Sequence, residues 1–184
     1  MKIFNSNITL DHKTILATID NAVRNMERNF EDINLLNVFP VPDGDTGINM
    51  LLTLKSIQAE LSKSDTYDLI SSLEKVNRGA LLGARGNSGV ILSQFVRGFC
   101  SELSKSKELN ASTLNTAFQQ ATHTSYAAVS NPVEGTMLTV MKGVSDSIKN
   151  SFDSGETNLI RLFQDSINQG VKTLESTPDL LPIL

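Results

Sequence analysis

The sequence contains one cysteine, Cys100, and two histidines among its 184 residues. A single cysteine excludes an intrachain disulfide, and the apolar residues just before it predict a buried thiol rather than a nucleophile. Neither His12 nor His123 has a recognisable catalytic partner in the sequence. The scarcity of these residues therefore argues against nucleophilic catalysis by a cysteine.

The sequence also lacks a stripe of lysine and arginine, and its formal net charge is −4 with a pI near 5.2. This balance gives no electrostatic reason to expect nucleic-acid binding. No apolar run approaches the length of a transmembrane helix, and the N-terminus has no basic region followed by an apolar stretch. We therefore expect a cytoplasmic location without a transmembrane segment.

No run of alternating polar and apolar residues is long enough to predict a sheet. Apolar residues instead recur at helical spacing, so we predict an all-α, antiparallel helical bundle of roughly seven helices in one domain. Residues 1–9 are expected to form an ordering arm, with Thr9 or Asp11 as the first cap. The predicted helices cover about 11–29, 47–63, 67–84, a segment beginning at Asn87 or Ser88, 110–129, a segment ending near 150, and 158–175; Thr177-Pro178 stops or restarts the last one.

The most informative stretch runs from Asn37 to Met50, and it contains Asp43-Gly44-Asp45. In a loop with Gly44 at positive φ, both carboxylates can turn toward one cation, and Mg²⁺ commonly takes one or two carboxylates together with phosphates and water. Asp-Gly turns and acidic helix starts are common without any metal, so the sequence leaves both interpretations open. An EF-hand loop is excluded, because Ile48 occupies the position of its glycine and Leu54 that of its bidentate glutamate.

An apolar run begins directly after Asp45 and Thr46, which predicts a helix that starts at this point. The N–H groups of a first helical turn have no partner within the helix, and they suit an anion. We therefore expect the N-terminus of this helix to offer free N–H groups to a phosphate.

A second stretch, Gly83-Ala-Arg-Gly-Asn-Ser-Gly89, has three glycines in seven residues. A glycine-rich turn before a helix can hold a phosphate, and Arg85 is a suitable phosphate partner. The stretch is not a Walker A loop, since it lacks the following Lys-Ser/Thr. A tight helix crossing in which the glycines only permit close packing remains the alternative.

A third break, Pro132-Val-Glu-Gly-Thr-Met137, separates two further helices. Thr136 and Met137 are candidates for ligand contact, although a cap and a core methionine are also ordinary roles. In an up-and-down bundle, breaks separated by two helices return to the same end. We therefore expect all three breaks to meet at one mouth, which suits a Mg-nucleotide.

These three stretches resemble the nucleotide-binding domain of dihydroxyacetone kinases, the DAK2 type, and most closely the N-terminal domain of the bacterial fatty acid kinase catalytic subunit. The resemblance covers nearly the whole chain. It implies an antiparallel α-helical barrel that holds ATP or ADP and two Mg²⁺ ions at one end. It further implies that this chain is an N-terminal fragment of a longer protein whose C-terminal domains are missing.

The resemblance implies that Asp43 and Asp45 bind the metal, with Asn37 as a third ligand, and that Arg85 joins the two aspartates in catalysis. The family pattern has another aspartate five residues before the pair, where this chain has Val38, which leaves the second ion's coordination open. The implied nucleotide contacts are Thr46, Gly47, Asn49, Met50, Gly86, Asn87, Ser88, Gly89, Thr136 and Met137.

The resemblance also implies phosphoryl transfer from ATP to the carboxylate of a fatty acid presented by a lipid-binding partner protein. No strong base is required, because a carboxylate is already ionised at neutral pH. One alternative is the nucleotide-binding subunit of a dihydroxyacetone (glycerone) kinase. Another is a non-catalytic helical interaction module in which the glycine turns serve packing alone.

Overall fold

A computed structural model describes residues 8–63, 68–106 and 108–181, and within them the fold is all-α, as predicted. Residues 1–7 of the expected N-terminal arm, Tyr67 and the last three residues lie outside the described part. The elements in chain order are β1 Ile8–Thr9, α1 His12–Leu35, α2 Thr46–Ser62, α3 Leu69–Gly83, α4 Gly86–Leu103, β2 Glu108–Leu109, α5 Ala111–Ala127, α6 Met137–Asp153, α7 Leu159–Glu175 and α8 Thr177–Leu180.

Most of the long helices begin at a side-chain cap that the sequence supplies locally. Asp11 accepts a hydrogen bond from the Thr14 N–H group at 2.7 Å, and Asp68 accepts one from the Ser71 N–H group at 3.0 Å. Thr136 caps α6, as one sequence interpretation expected. These caps explain why helix starts were easier to predict than helix ends.

The structure differs from the sequence predictions at the end of α1, at the start of α4 and in one short pair of strands. Helix α1 continues to Leu35, about one and a half turns past the expected end, and its last turns pack onto α2 through Phe30. Helix α4 already begins at Gly86, so Asn87 and Ser88 lie inside it and only two residues separate it from α3. Strands β1 and β2 form a two-stranded antiparallel ladder, which is too short to leave a periodic pattern.

One hydrophobic core is shared by α1 to α7. Helix α2 packs against α1, α3 and α4, and α4, α5, α6 and α7 then follow one another in space as they do in sequence. The core contains Cys100, which is 4% exposed; the prediction of a buried thiol is confirmed, and burial raises the pKa of this thiol to about 12. Among the described helices, none has the length and hydrophobicity to span a membrane.

Contacts between neighbouring helices show that all three glycine-bearing breaks lie at one end of the bundle. Gly86, at the start of α4, lies next to Asn49 in the first turn of α2. Ser125, near the end of α5, donates a hydrogen bond to the carbonyl of Ile91 in the first half of α4. Tyr126 then reaches Glu134 in the third break. The N-termini of α2, α4 and α6 therefore point to the same end of the molecule, as the helix count predicted.

Candidate functional site

The acidic loop lies between the end of α1 and the start of α2. Gly44 has a φ of +65°, the left-handed conformation that the sequence predicted for it, and it separates the exposed Asp43 from the partly buried Asp45. Asn37 donates a hydrogen bond from Nδ2 to the Val41 carbonyl at 2.9 Å, which closes the loop on its N-terminal side. The loop is thus shaped by its own side chains as well as by glycine.

The first N–H groups of α2 already have partners, which contradicts the expectation that they are free for a phosphate. Asn37 Oδ1 accepts hydrogen bonds from the N–H groups of Asp45 at 3.1 Å and Thr46 at 3.2 Å, and from Thr46 Oγ1 at 2.9 Å. Asn34 Oδ1 accepts hydrogen bonds from the N–H groups of Gly47 at 2.8 Å and Ile48 at 3.1 Å. Two asparagines from the preceding segment therefore occupy the donors that an anion would use.

These contacts also bear on the expected metal ligands. Asp45 stands at the N-cap position of α2 but makes no capping hydrogen bond, so its carboxylate is not used by the helix. Asn37 Oδ1, in contrast, accepts three hydrogen bonds, and a cation could bind it only by displacing some of them. The loop geometry thus leaves the carboxylate of Asp45 more accessible to a metal than the amide oxygen of Asn37.

Gly86 brings the second glycine stretch onto the acidic loop. It has a φ of +56°, and a Cβ at this position would overlap Nδ2 of Asn49 and lie 3.7 Å from Oδ2 of Asp45. The neighbouring Ser88, which is 7% exposed, donates a hydrogen bond from Oγ to the Thr46 carbonyl at 3.3 Å. The convergence of the first two stretches is therefore present in the structure.

Asn49 is a buried amide without a partner. Its side chain is 7% exposed, and Nδ2 forms no hydrogen bond in the described part of the chain. A buried unsatisfied donor costs about 1–3 kcal/mol, and a bound ligand, ion or water that supplies the acceptor is one explanation for such a group. Nδ2 lies against Gly86, so an acceptor for it would have to stand between the first turns of α2 and α4.

The N-terminus of α4 is open where that of α2 is closed. No side chain caps α4, and the first hydrogen bond of its backbone runs from the Gly89 N–H group to the Arg85 carbonyl. Among the described residues, the N–H groups of Gly86, Asn87 and Ser88 have no hydrogen-bond acceptor. The sequence predicted a helix N-terminus suited to a phosphate at both α2 and α4, and the structure leaves free donors at α4 only.

Arg85 faces its own backbone in this structure. It is exposed, and Nη1 donates hydrogen bonds to the carbonyls of Leu82 at 3.1 Å and Ala84 at 2.9 Å. The guanidinium thus satisfies carbonyl groups at the C-terminus of α3. Only Nη1 is engaged, so Nε and Nη2 still have N–H groups for a phosphate. Asn87, two residues further on, is exposed and forms no side-chain hydrogen bond with a described residue.

Gly47 and Gly89 lie behind the site rather than on its surface. Both are buried, and a Cβ on Gly47 would overlap the backbone of Phe30, while one on Gly89 would lie 2.9 Å from Oγ1 of Thr53. Their missing side chains let α1, α2 and α4 approach closely. Close helix packing therefore accounts for these two glycines. Met50, on the same helix α2 as Gly47, is half-buried.

The third break lies at the same end but is held by its own contacts. Glu134 accepts hydrogen bonds from the Tyr126 hydroxyl at 3.0 Å and from Thr139 Oγ1 at 2.5 Å. Burial and this carboxylate raise the pKa of Tyr126 to about 12. Thr136 Oγ1 donates to the Val133 carbonyl at 2.8 Å, and Met137 is partly buried at the start of α6. The break is therefore rigidly tied to α5 and α6.

The carboxylates of Asp43 and Asp45 suit a cation whose other ligands include an anion such as phosphate. Neither Asp43 nor Asp45 forms an ion pair or a side-chain hydrogen bond with any residue that the structure describes. No group of three or more His, Cys, Asp or Glu side chains in the described ranges could hold a metal. Two carboxylates fit Mg²⁺, which keeps waters and phosphate oxygens as its other ligands, better than a structural zinc site.

Sequence reasoning missed Asn34. The only available signal was the pair of asparagines three residues apart, Asn34 and Asn37, just before the acidic loop. Because α1 was expected to end near residue 29, Asn34 was not assigned to a helix. Its reach across 13 residues to the Gly47 N–H group could be seen only in the folded chain.

Comparisons with known proteins show the family of this chain. The family model described as DAK2 domain matches residues 40–184, which include Asp43-Gly44-Asp45, the second glycine stretch and the third break. Protein YloV of Bacillus subtilis (strain 168) is 42% identical over 178 residues, covering 96% of this chain and 32% of that protein. Uncharacterized protein SH1689 of Staphylococcus haemolyticus (strain JCSC1435) is 38% identical and uncharacterized protein SAB1090 of Staphylococcus aureus (strain bovine RF122 / ET3-1) is 39% identical, each over 175 residues, 95% of this chain and 32% of the relative. The chain thus spans about a third of the length of these curated relatives.

Proposed function

Because the chain belongs to the DAK2-domain family, a kinase-related family of nucleotide-binding domains, we propose that it binds Mg-ATP between the first turns of α2 and α4. The observation that carries this proposal is Asn49 Nδ2, buried without an acceptor beside the uncapped N-terminus of α4. A phosphate oxygen placed there satisfies this amide and the N–H groups of α4 together.

We assign Asp43 and Asp45 to Mg²⁺, because neither carboxylate forms an ion pair with a residue in the described ranges. A bound magnesium ion would neutralise phosphate charge and orient the γ-phosphate. Two ions are expected from the family resemblance. Asn37 joins the metal site only if its Oδ1 exchanges its present hydrogen bonds, so positioning of the loop is the role that its contacts favour.

The nucleotide contacts divide into two groups. Asn49 and the first residues of α4, Gly86, Asn87 and Ser88, are assigned to the phosphates, and Arg85 can approach a phosphate with Nε and Nη2 while Nη1 holds the α3 carbonyls. Thr46 is assigned there on the family resemblance, since its N–H group and Oγ1 donate to Asn37. Thr136 and Met137 are assigned to the nucleoside end, as the family resemblance implies, and Met50 is assigned to the nucleotide on the same resemblance. Gly47 and Gly89 shape the site from behind.

For the whole protein we propose phosphoryl transfer to the carboxylate of a fatty acid held by a lipid-binding partner. A carboxylate oxygen forms a bond to the γ-phosphorus as the bond from that phosphorus to the bridging oxygen breaks, giving an acyl phosphate and ADP. The acceptor carboxylate needs no deprotonation at neutral pH, so the site requires positioning and charge neutralisation rather than a base. The longer relatives have room for further domains, and an N-terminal place for this chain stays a prediction.

Isothermal titration calorimetry with Mg-ATP tests the binding site. Wild type is expected to bind, and Asp45→Asn or Asp43→Asn is expected to abolish Mg-dependent binding while the circular dichroism spectrum keeps its helical signal. Asp165→Asn is the matched control and should bind as wild type does. It removes an exposed carboxylate from the N-terminal half of α7, which is the half farther from the proposed site. Undiminished affinity in both loop variants would contradict the metal assignment.

The acceptor is tested with the full-length protein and radiolabelled ATP. Labelled acyl phosphate formed only with a fatty-acid-loaded carrier supports the proposal, and label on dihydroxyacetone supports the glycerone kinase alternative. Absence of binding and of transfer would favour a non-catalytic helical module. A thermal-shift experiment tests binding independently, because ATP at 100 times its dissociation constant should stabilise the fold by about 2.7 kcal/mol.

A further inference from the structure

We infer that Asn34 is a positioning residue for the nucleotide site, an assignment that rests on the proposed function. Asn34 lies in the last turn of α1 and is partly buried. Its Oδ1 accepts hydrogen bonds from the N–H groups of Gly47 at 2.8 Å and Ile48 at 3.1 Å. A side chain from one helix therefore caps the next helix, and this capped helix carries Asp45 and Asn49.

This arrangement releases Asp45 from capping. An aspartate at an N-cap normally accepts a hydrogen bond from the second or third residue of its helix. In α2 those two N–H groups, of Gly47 and Ile48, are taken by Asn34, and Asp45 makes no capping bond. The carboxylate of Asp45 therefore stays available for a cation without leaving the helix N-terminus unsatisfied.

The same contact fixes the direction of the first turn of α2. Gly47 lies directly against the backbone of Phe30, and Asn34 holds the N–H group of Gly47 one turn further along α1. Asn49 is tied to this turn, because its N–H group donates to the Asp45 carbonyl at 2.9 Å. A shift of the turn would thus move both side chains relative to Gly86.

The contact also decides which helix receives the anion. With Asn34 and Asn37 in place, the N-terminus of α2 has no free donor for a phosphate among Asp45, Thr46, Gly47 and Ile48. The neighbouring α4 has no cap and keeps its donors. Asn34 therefore closes backbone donors of α2 to a phosphate, which leaves the N–H groups of α4 and the side-chain amide of Asn49 to bind it.

The test measures Mg-ATP affinity of Asn34 variants by calorimetry well below their thermal midpoints. Asn34→Ala should weaken binding at least tenfold, the usual effect of removing a group that orients a metal ligand. Asn34→Asp should restore most of the affinity, because its carboxylate accepts the same two N–H groups. Asn34→Gln keeps the amide but displaces it by one methylene, and it is expected to bind weakly; it replaces Asn34→Ala if that variant does not fold.

Asn158→Ala is the matched control. Asn158 Oδ1 also accepts two helix N–H groups, those of Ile160 at 3.0 Å and Arg161 at 3.2 Å, but at the start of α7 and the opposite end of the bundle. It should lower the thermal midpoint as Asn34→Ala does and leave Mg-ATP affinity unchanged. An equal loss of Mg-ATP affinity in Asn34→Ala and Asn158→Ala, or no loss in Asn34→Ala, would overturn the assignment of Asn34. Binding of Mg-ATP by wild type would still support the proposed function in that case. Failure of wild type to bind would overturn both.

Discussion

The buried amide of Asn49 bears both on the stability of the fold and on the proposed nucleotide binding. A donor that is 7% exposed and has no acceptor in the described part of the chain lowers the stability of the ligand-free fold. Helices ordinarily avoid this cost by exposing such a group or by pairing it. Its retention beside Gly86 and Asp45 is understandable if a ligand provides the acceptor.

Asn49→Ala should therefore stabilise the ligand-free protein by about 1 kcal/mol, because the unsatisfied donor is removed and alanine has the higher helix propensity. Mg-ATP affinity should fall at the same time. Urea unfolding measures the first effect and calorimetry the second.

The matched control is Asn115→Ala on α5, whose Oδ1 is likewise buried without a partner. It should give a similar gain in stability with unchanged affinity. A loss of stability in Asn49→Ala without any loss of affinity would contradict the ligand role, since it would show that the amide serves the fold.

At the scale of elements, local signals were sufficient for the helices and insufficient for their junctions. Apolar spacing predicted the long helices, and local caps such as Asp11 marked their starts. The start of α2 could not be understood locally, because its caps come from Asn34 and Asn37. The start of α4 was placed too late, because Gly86 is held at positive φ by close packing on α2 and begins the helix itself.

Close packing of α3 on α2 illustrates a contact that sequence alone leaves undecided. A Cβ on Gly79 would lie 2.5 Å from the Cα atom of Ile57, and one on Gly83 would lie 3.1 Å from the Cα atom of Thr53. Glycine inside a helix normally lowers stability relative to alanine by about 0.5–1 kcal/mol. Its presence at both positions is explained by the short distance between the two helix backbones.

Gly79→Ala should consequently destabilise the protein by about 1–3 kcal/mol, because the added methyl group meets backbone atoms that cannot move independently. Urea unfolding monitored by circular dichroism measures the change. The sign of the change in the free energy of unfolding decides the outcome. A gain of stability, as expected for an unobstructed helical glycine, would show that α2 and α3 are not in close contact at this position.

At the scale of the whole molecule, the up-and-down course of the helices was predictable and its consequence was confirmed. The three glycine-bearing breaks lie at one end, and the first two are in contact through Gly86 and Ser88. The sequence could not show that the N-terminus of α4 keeps free N–H groups while that of α2 does not, because this difference depends on which N–H groups the folded chain has already paired. A motif read from sequence locates a site, whereas its free donors are known only after the hydrogen bonds are assigned.

The shared core also links the titration of one thiol to the stability of the entire fold. Cys100 is buried in the core that joins α1 to α7, and desolvation raises its pKa from 9.0 to about 12. Because the pKa of the thiol is higher in the folded state than in the unfolded state, its contribution to stability is fully present below pH 9.0 and is lost as the pH rises toward 12. The unfolded chain loses this proton first, so the free energy of unfolding should fall by at most about 1.4 kcal/mol per pH unit in that range.

Cys100→Ala should remove this contribution. Between pH 8 and pH 10, the free energy of unfolding of wild type is expected to fall by about 1 kcal/mol more than that of the variant, as measured by urea unfolding at each pH. Tyr126→Phe serves as the comparison, because the pKa of Tyr126 rises from 10.0 to about 12 and its contribution is lost mainly above pH 10. Parallel pH profiles for wild type and Cys100→Ala would mean that the thiol ionises in the folded protein, and hence that water reaches the core around it.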